Sequence, residues 1–281
     1  MTTIADPRPS ADDLAPGDRR AAGFDWSAYS VRRVAGPEDP DFGPAYDRLW
    51  AEFGPRGEME RQDVIVERLG WDPRRPVGDY ALQYELLVVR HGAKIVAVRD
   101  HTAVVPMASG GPTVVHLSHV LIAPSDRGSG LAAWLRALPL QVARACAAVA
   151  GRSEDHPIVL VAEMEPPDPT DVARTVRLRS YERAGFRKID PTVASYAQPD
   201  FRPASAFGAE GPVAIPLVLI VRRVGREDEV AMGAAEVGDV VDALYGLYAV
   251  QLAEAAVAEL REAAIVWTGR QRSFALVVPT S

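Results

Sequence analysis

The chain has 281 residues, of which 48% are hydrophobic and 25% charged, as in a globular protein large enough for one domain with an extension. The formal net charge of −7 argues against nucleic acid as the main partner, because phosphate backbones are bound by basic surfaces. A single cysteine, Cys146, excludes an intrachain disulfide and a cysteine-cluster metal site, and no apolar run reaches the roughly 18 residues of a membrane span.

Composition divides the chain into three segments. Residues 1–24 are rich in Ala, Asp, Pro and Arg and lack the apolar core of a secretion signal. We therefore expect a mobile tail there and, as the default, a cytoplasmic protein. Residues 25–225 alternate strand-like and helix-like patterns and are expected to form the main domain. Residues 226–281 are expected to form a C-terminal extension.

The first part of the main domain predicts strands and a pair of helices. Apolar residues at helical spacing over 41–53 and 59–69 predict two helices, separated by a glycine- and proline-containing break at 54–57. Strand-like runs at 86–90 and 94–100 are joined by His91-Gly92-Ala93, which is a hairpin signal. Further strands are expected at 29–33 and 114–123.

Residues 120–138 predict a strand, a glycine turn and a helix. The apolar run ends at Pro124, the turn is 127–130, and the helix continues to about residue 150 with a kink at Pro139. This geometry presents unpaired backbone N–H groups to an anion, and the helix dipole adds roughly half a positive charge at that end. The pattern is neither a Walker loop nor a dinucleotide fingerprint.

The rest of the chain completes an α/β (α+β) fold with a mixed central sheet and helices on both faces. A strand is expected at 158–165, a helix with Thr170 as its N-cap, and strands at 186–189 and 213–224. In the extension, one long helix is expected over 236–264 and a strand over 273–278. That helix either packs on its own domain or forms a dimerisation element.

Two motifs together carry a family resemblance. Arg127, Gly130 and Ala132 fit the pattern Arg/Gln-x-x-Gly-x-Gly/Ala, and residues 181–186 read Tyr-Glu-Arg-Ala-Gly-Phe. The chain thus resembles the GNAT (N-acetyltransferase) superfamily over about residues 28–225, and the two motifs stand in the expected order. The resemblance implies the GNAT acyl-CoA N-acyltransferase fold and direct transfer of an acyl group, most simply acetyl from acetyl-CoA, to a primary amine.

The resemblance also implies where acyl-CoA would bind. The backbone N–H groups of the turn and first helical residues would cradle the pyrophosphate: Arg127, Gly128, Ser129, Gly130, Leu131 and Ala132. The backbone at the end of the preceding strand, Leu121 to Ile122, would orient the thioester. The family often has an asparagine just before the second motif. None is present at 166–183, so one cofactor contact stays unassigned.

The resemblance assigns the acid to Tyr181, whose phenol is protonated at neutral pH because its ordinary pKa is near 10. Candidate bases are His116 and His119 before the turn, and Glu163 and Glu165 on the next strand. Strict strand alternation puts His116 and His119 on opposite faces of the sheet. His119 is the first choice because a histidine titrates near neutrality and this one is nearer the turn, and Glu163 is the second.

Partners and alternatives follow from the same residues. The acceptor is expected to be a small-molecule or peptide amine, and no metal is expected, because the two histidines lack the glutamate and helix of a zinc-protease motif. Five arginines crowd the second motif, where they form a solvated face or meet a coenzyme phosphate. The alternative function is a catalytically degenerate GNAT domain that serves as a CoA-binding or protein-interaction module.

Overall fold

The computed structural model describes residues 6–108, 110–202, 205, 211–252 and 254–281. Within them, nine strands form one mixed sheet in the order β1-β2-β3-β4-β5-β9-β6-β11-β10, and β7 and β8 form a separate ribbon. The strands are β1 (Tyr29–Arg33), β2 (Tyr80–His91), β3 (Lys94–Pro106), β4 (Thr113–Ile122), β5 (Ile158–Met164), β6 (Arg187–Ile189), β7 (Ala197–Gln198), β8 (Ile215–Pro216), β9 (Val218–Arg223), β10 (Ala231–Gly233) and β11 (Ser273–Val277).

Helices cover both faces of the large sheet, which confirms the predicted fold class. Leu86 and Leu87 are neighbours in β2 and so point to opposite faces. Leu86 packs under the first two helices and Leu87 under the third. The helices are α1 (Phe42–Phe53), α2 (Gln62–Leu69), α3 (Leu131–Ala137), α4 (Pro139–Val149), α5 (Val172–Arg183), α6 (Ala234–Ala249) and α7 (Glu254–Gly269).

Helix boundaries follow local chemistry. The one kinked helix expected over 130–150 is divided into two, since α3 ends at Ala137 and α4 begins at Pro139. Proline is favoured at a helix start because its missing N–H would have no partner there. The N-cap of α5 is Asp171 rather than Thr170, because the Asp171 carboxylate accepts the amide of Arg174 at 2.9 Å. The single helix expected over 236–264 is divided into α6 and α7 near Gln251, whose side chain bonds to α2 instead.

The sheet opens between β4 and β5. These parallel strands pair only from Thr113–Ile158 to His116–Val161. β4 then continues to Ile122 beside β3, and β5 continues to Met164 beside β9. The two strands therefore separate beyond His116. From there on, the facing edges of β4 and β5 are not paired with each other.

A β-bulge lies where the opening begins. Asp100 of β3 pairs with His119 of β4 and Thr102 with His116, so two residues of β4 stand opposite His101. The extra residue shifts the alternation of side chains. His116 therefore contacts α6 and His119 contacts α1, both on one face of the sheet. The prediction that these histidines lie on opposite faces was wrong for this reason.

The N-terminal residues differ from the mobile tail expected over 1–24. Two 3-10 segments, Ala11–Asp13 and Pro16–Gly23, lie on α3 and α4, and we call residues 11–24 the N-terminal strap. Its Ala21 is buried beside Trp134, whose indole N–H donates to the Ala21 carbonyl at 2.9 Å. The Asp18 carboxylate binds the Arg136 guanidinium through both oxygens, at 2.8 to 3.1 Å.

The C-terminal residues extend the same sheet and share its core. β11 pairs with β6, and β10 pairs with β11. The apolar stripe of α6 is buried against the sheet rather than exposed: Val240, Leu244, Leu247 and Tyr248 are at most 1% accessible. None of the helices in the described part of the chain is both long and apolar enough to cross a membrane.

Candidate active site

A cavity occupies the opening between β4 and β5. Its lining brings together the three residues that the sequence nominates for catalysis, His119, Glu163 and Tyr181. His116 and Ser118 of β4 line it as well. Its remaining walls include charged and aromatic side chains: Glu58, Glu60, Glu165, Arg56, Arg177, Phe53, Phe201 and Tyr248.

Glu163 is a buried carboxylate held by three donors. One oxygen, Oε1, accepts the Tyr196 hydroxyl at 2.6 Å. The other, Oε2, accepts His116 Nε2 at 2.8 Å and also the hydroxyl of Tyr248. Burial opposes ionisation, but these donors hold the pKa of Glu163 below its usual value. Glu163 is therefore ionised at neutral pH, and its acceptor sites are engaged.

The contacts of His116 assign its tautomer. The Glu163 carboxylate accepts a hydrogen bond from His116 Nε2, so this nitrogen carries the hydrogen in the neutral ring. The other nitrogen, Nδ1, then has a free lone pair and lies 3.3 Å from the hydroxyl oxygen of Ser118. Ser118 is partly exposed, whereas His116 is buried. In its neutral form, His116 is therefore held by a carboxylate with its free lone pair toward Ser118.

His119 lies in the same cavity with both ring nitrogens occupied. Nδ1 contacts the Asp100 carboxylate at 3.0 Å, and Nε2 contacts the carbonyl oxygen of Glu58 at 2.8 Å. Both partners are acceptors, so both nitrogens carry hydrogens. Burial disfavours the charged ring, but Asp100 outweighs it and raises the pKa of His119 to about 9. In this arrangement His119 has no lone pair with which to accept a proton.

We expect the His119–Asp100 pair to make stability depend on pH. The folded pKa of about 9 exceeds the ordinary histidine pKa of 6.5, so the protonated ring stabilises the folded state. This contribution is complete below pH 6.5, is lost as the pH rises through 9, and amounts to on the order of 3 kcal/mol. Urea unfolding between pH 6 and 10 measures the loss. A His119→Gln protein with the same dependence would contradict this assignment.

Tyr181 reaches the cavity from the opposite face of the sheet. Its ring packs edge-on against Phe186 at 4.9 Å between centroids, and the Arg136 guanidinium lies 5.6 Å from the ring centre. Arg99 of β3 is fully buried nearby. Burial lowers the pKa of Arg99, whereas the Tyr181 hydroxyl beside it acts in the opposite direction. The environment of Tyr181 is therefore cationic.

The glycine turn forms an open anion cradle. Gly128 and Gly130 have φ angles of +80° and +103°, which side-chain-bearing residues rarely adopt. A Cβ on Gly128 would meet nothing within 4 Å, so its outer surface is free. Leu131 and Ala132 begin α3, where backbone amides have no carbonyl partner four residues back, and the Leu131 amide donates to the Ser129 hydroxyl at 3.3 Å. Arg127 braces the turn, since its Nε donates to the Ile122 carbonyl at 3.1 Å.

The other carboxylates of the cavity are paired with arginines. Glu165 binds Arg174 and Arg177 at 3.1 and 2.6 Å, which gives two of the five clustered arginines a structural partner. Glu60 binds Arg68, and Glu58 lies 3.3 Å from Arg56. Among the described ion pairs, Glu163 has only His116 as its basic partner. Its negative charge is therefore the least compensated in the cavity.

Sequence reasoning missed several residues that complete the site. Asp100, Tyr196 and Tyr248 come from β3, from the segment before β7 and from α6, and they meet the predicted residues only in the fold. Tyr248 carried the one available signal, a polar tip on an otherwise apolar helical stripe. Within the described ranges, no group of three or more His, Cys, Asp or Glu side chains is placed to hold a metal ion.

Comparison with solved structures returns distant matches. A putative acetyltransferase of the GNAT family from Desulfovibrio desulfuricans is 19% identical with a TM-score of 0.38, over 70% of this chain and 99% of that one. An acyl-CoA N-acyltransferase from Pseudomonas aeruginosa is 18% identical with a TM-score of 0.36, over 69% and 97%. A tandem GNAT protein from the clavulanic acid biosynthesis pathway is 20% identical with a TM-score of 0.39, over 86% and 67%.

The GNAT family, to which two of these proteins are assigned, is the one that the two sequence motifs resemble. At these identities and TM-scores, the likeness carries no residue role to this chain. No family model matches the sequence, and no curated protein matches it.

Proposed function

We propose that this chain is an acyl-CoA-dependent N-acyltransferase of the GNAT type. More particularly, we propose that it transfers acetyl from acetyl-CoA to a primary amine by direct attack. One observation carries the proposal: the sheet opens beside a glycine anion cradle, and the opening has a candidate proton donor on one face and an oriented base on the other.

The residues present fit an acyl-CoA. The open surface at Gly128 and the first turn of α3 suit a pyrophosphate, which is dianionic or nearly so. Beyond His116, the edge of β4 toward β5 makes no pairing with that strand. This edge includes Leu121 and Ile122, and it suits the amide groups of a pantetheine arm, which need hydrogen-bond partners. When bound, acyl-CoA supplies the activated acyl group, and the protein supplies orientation and proton transfer.

His116 is the proposed base, and Glu163 positions it. A protonated amine has no lone pair and must lose a proton before it attacks. His116 Nδ1, which lies beside the Ser118 hydroxyl, carries the lone pair that takes that proton, and the Glu163 carboxylate stabilises the imidazolium that results. Glu163 was itself a nominated base. Its two oxygens already accept from three donors, so we assign it the orienting part. The charge of Glu163, which pairs with no arginine among the described ion pairs, favours a cationic acceptor.

Tyr181 is the proposed acid for the departing thiolate. We expect Tyr181→Phe to lower turnover by about 10²-fold or more, because positioned proton transfer contributes on that scale. The nearby Arg99 and Arg136 would stabilise the phenolate that forms. Steady-state thiol release measures turnover, and acetyl-CoA titration should give an affinity near that of the wild type. Unchanged turnover would remove Tyr181 from this step.

Acetyl-CoA binding tests the proposal as a whole. Calorimetric titration of the full chain should show binding, which Gly128→Val should abolish because it strains and fills the cradle. Gly92→Val is the matched control, since Gly92 also has a positive φ and no neighbour within 4 Å but lies in the β2–β3 hairpin. A screen of primary amines for thiol release then identifies the acceptor. Binding without turnover on any amine would favour the degenerate CoA-binding module instead.

A further inference from the structure

Three side chains in the cavity form a chain of hydrogen bonds, and one of them, Ser118, has no part in the proposed acyl transfer to an amine. Ser118 Oγ lies 3.3 Å from His116 Nδ1, and His116 Nε2 lies 2.8 Å from Glu163 Oε2. A hydroxyl, an imidazole and a buried carboxylate in this order are the components of an activated serine nucleophile. Hydroxyl-to-imidazole distances are often longer in the absence of substrate.

The hydrogen-bond partners fix the direction of proton flow in this chain. Glu163 has no hydrogen to donate as a carboxylate, so His116 donates to it and offers its other nitrogen to Ser118. Tyr196 and Tyr248 hold the carboxylate in place from two further sides. The imidazole is therefore oriented toward the serine in the tautomer that accepts a proton.

The bulge in β4 brings Ser118 to the same cavity as His116. Leu117 and Ser118 both stand opposite His101, so the local ladder is interrupted at these residues. Leu117 packs into the core beneath α5, whereas Ser118 is partly exposed at the mouth of the opening. A bulge of this kind re-aims a side chain and leaves backbone groups outside the ladder.

We propose that Ser118, His116 and Glu163 form a nucleophilic triad that hydrolyses small activated acyl esters through an acyl-serine intermediate. Ser118 Oγ bonds to the acyl carbon as its proton passes to His116 Nδ1. The bond to the leaving oxygen then breaks, and that oxygen takes the proton from His116. Water then attacks the acyl carbon while His116 Nδ1 takes a proton from it. The bond between the acyl carbon and Ser118 Oγ breaks, and Oγ takes that proton back from His116, which releases the carboxylic acid and restores the hydroxyl.

This activity goes beyond the proposed amine acylation, because it needs neither coenzyme A nor an amine. The two can therefore fail separately. A protein that binds no acetyl-CoA can still cleave an activated ester, and an amine acetyltransferase can lack the nucleophile. Cys146 does not compete as a nucleophile, since it is buried and burial raises the pKa of its thiol to about 12.

The test is hydrolysis of p-nitrophenyl acetate by the full chain in the absence of coenzyme A. We expect wild-type hydrolysis to exceed that of Ser118→Ala by roughly 10²-fold. Ser30→Ala is the control, since Ser30 is an exposed serine on β1, and it should match the wild type. Ser118→Cys should keep a burst of nitrophenol release, because a thiol is also a nucleophile.

Mass spectrometry of acid-quenched protein locates the intermediate. An acetyl group on the peptide that contains Ser118, absent from Ser118→Ala, supports the proposal. Equal hydrolysis by wild type and Ser118→Ala overturns it, as does acetyl found only on another residue. If Ser118→Ala loses amine acetylation but wild type hydrolyses no ester, Ser118 only relays protons to His116 and the nucleophile proposal is also overturned.

Discussion

Glu163→Gln is expected to lower amine acylation by about 10² to 10⁴-fold while leaving acetyl-CoA affinity near that of the wild type. The amide has nearly the same shape but no charge, so it cannot stabilise a protonated His116. Its nitrogen also donates hydrogen bonds, and Tyr196 and Tyr248 already donate to this side chain. The loss should therefore appear in kcat rather than in cofactor binding.

Two further variants sharpen this prediction. Glu52→Gln removes an exposed carboxylate on α1 and should leave kcat unchanged. Tyr248→Phe removes one of the three donors to Glu163 but keeps the charge, so its kcat should fall between those of the wild type and Glu163→Gln. A Glu163→Gln protein with kcat within about threefold of the wild type would show that His116 needs no orienting carboxylate.

Asp18→Ala is expected to lower the free energy of unfolding by about 3–5 kcal/mol. The Asp18 and Arg136 side chains are 5% and 6% exposed, so the substitution leaves a buried guanidinium without its carboxylate. The remaining side-chain partner of Arg136, the Ser180 hydroxyl at 3.0 Å, is neutral and cannot replace that charge.

The N-terminal strap contains its own control for this prediction. Asp13 pairs with Arg144, which is 51% exposed and can be solvated when its partner is removed. Asp13→Ala should therefore cost about 1 kcal/mol or less. Urea unfolding of both variants at pH 7 makes the comparison, and equal losses would contradict the burial argument. The double variant Asp18→Leu with Arg136→Met should recover much of the stability, because it leaves no unpaired charge.

Local patterns in the sequence predicted much of the fold, including the glycine turn at which we propose that the acyl donor binds. The strand, glycine turn and helix around Gly130 were readable because a positive φ needs glycine and a helix start exposes amides. The break at Pro139 was readable because proline lacks an N–H. These features depend on residues a few positions apart.

The part of the cavity proposed to hold the amine acceptor was less predictable, because it depends on distant residues and on one register shift. The bulge at Ser118 reverses the face of His119, and strand alternation alone gives no sign of a bulge. The charge of His119 depends on Asp100, which lies 19 residues earlier on a neighbouring strand. The packing of the N-terminal strap depends on a bond between Asp18 and Arg136, 118 residues apart.

The contact between Tyr248 and Glu163 has a consequence for the order in which the protein becomes active during synthesis. β4, β5 and α5 can leave the ribosome and begin to pair while α6 is still inside the exit tunnel. A nascent chain at that point has the glycine turn and Tyr181, but its Glu163 lacks one of three donors and its cavity lacks a wall. Since domains form as units during synthesis, the complete pocket appears only once α6 has emerged and docked.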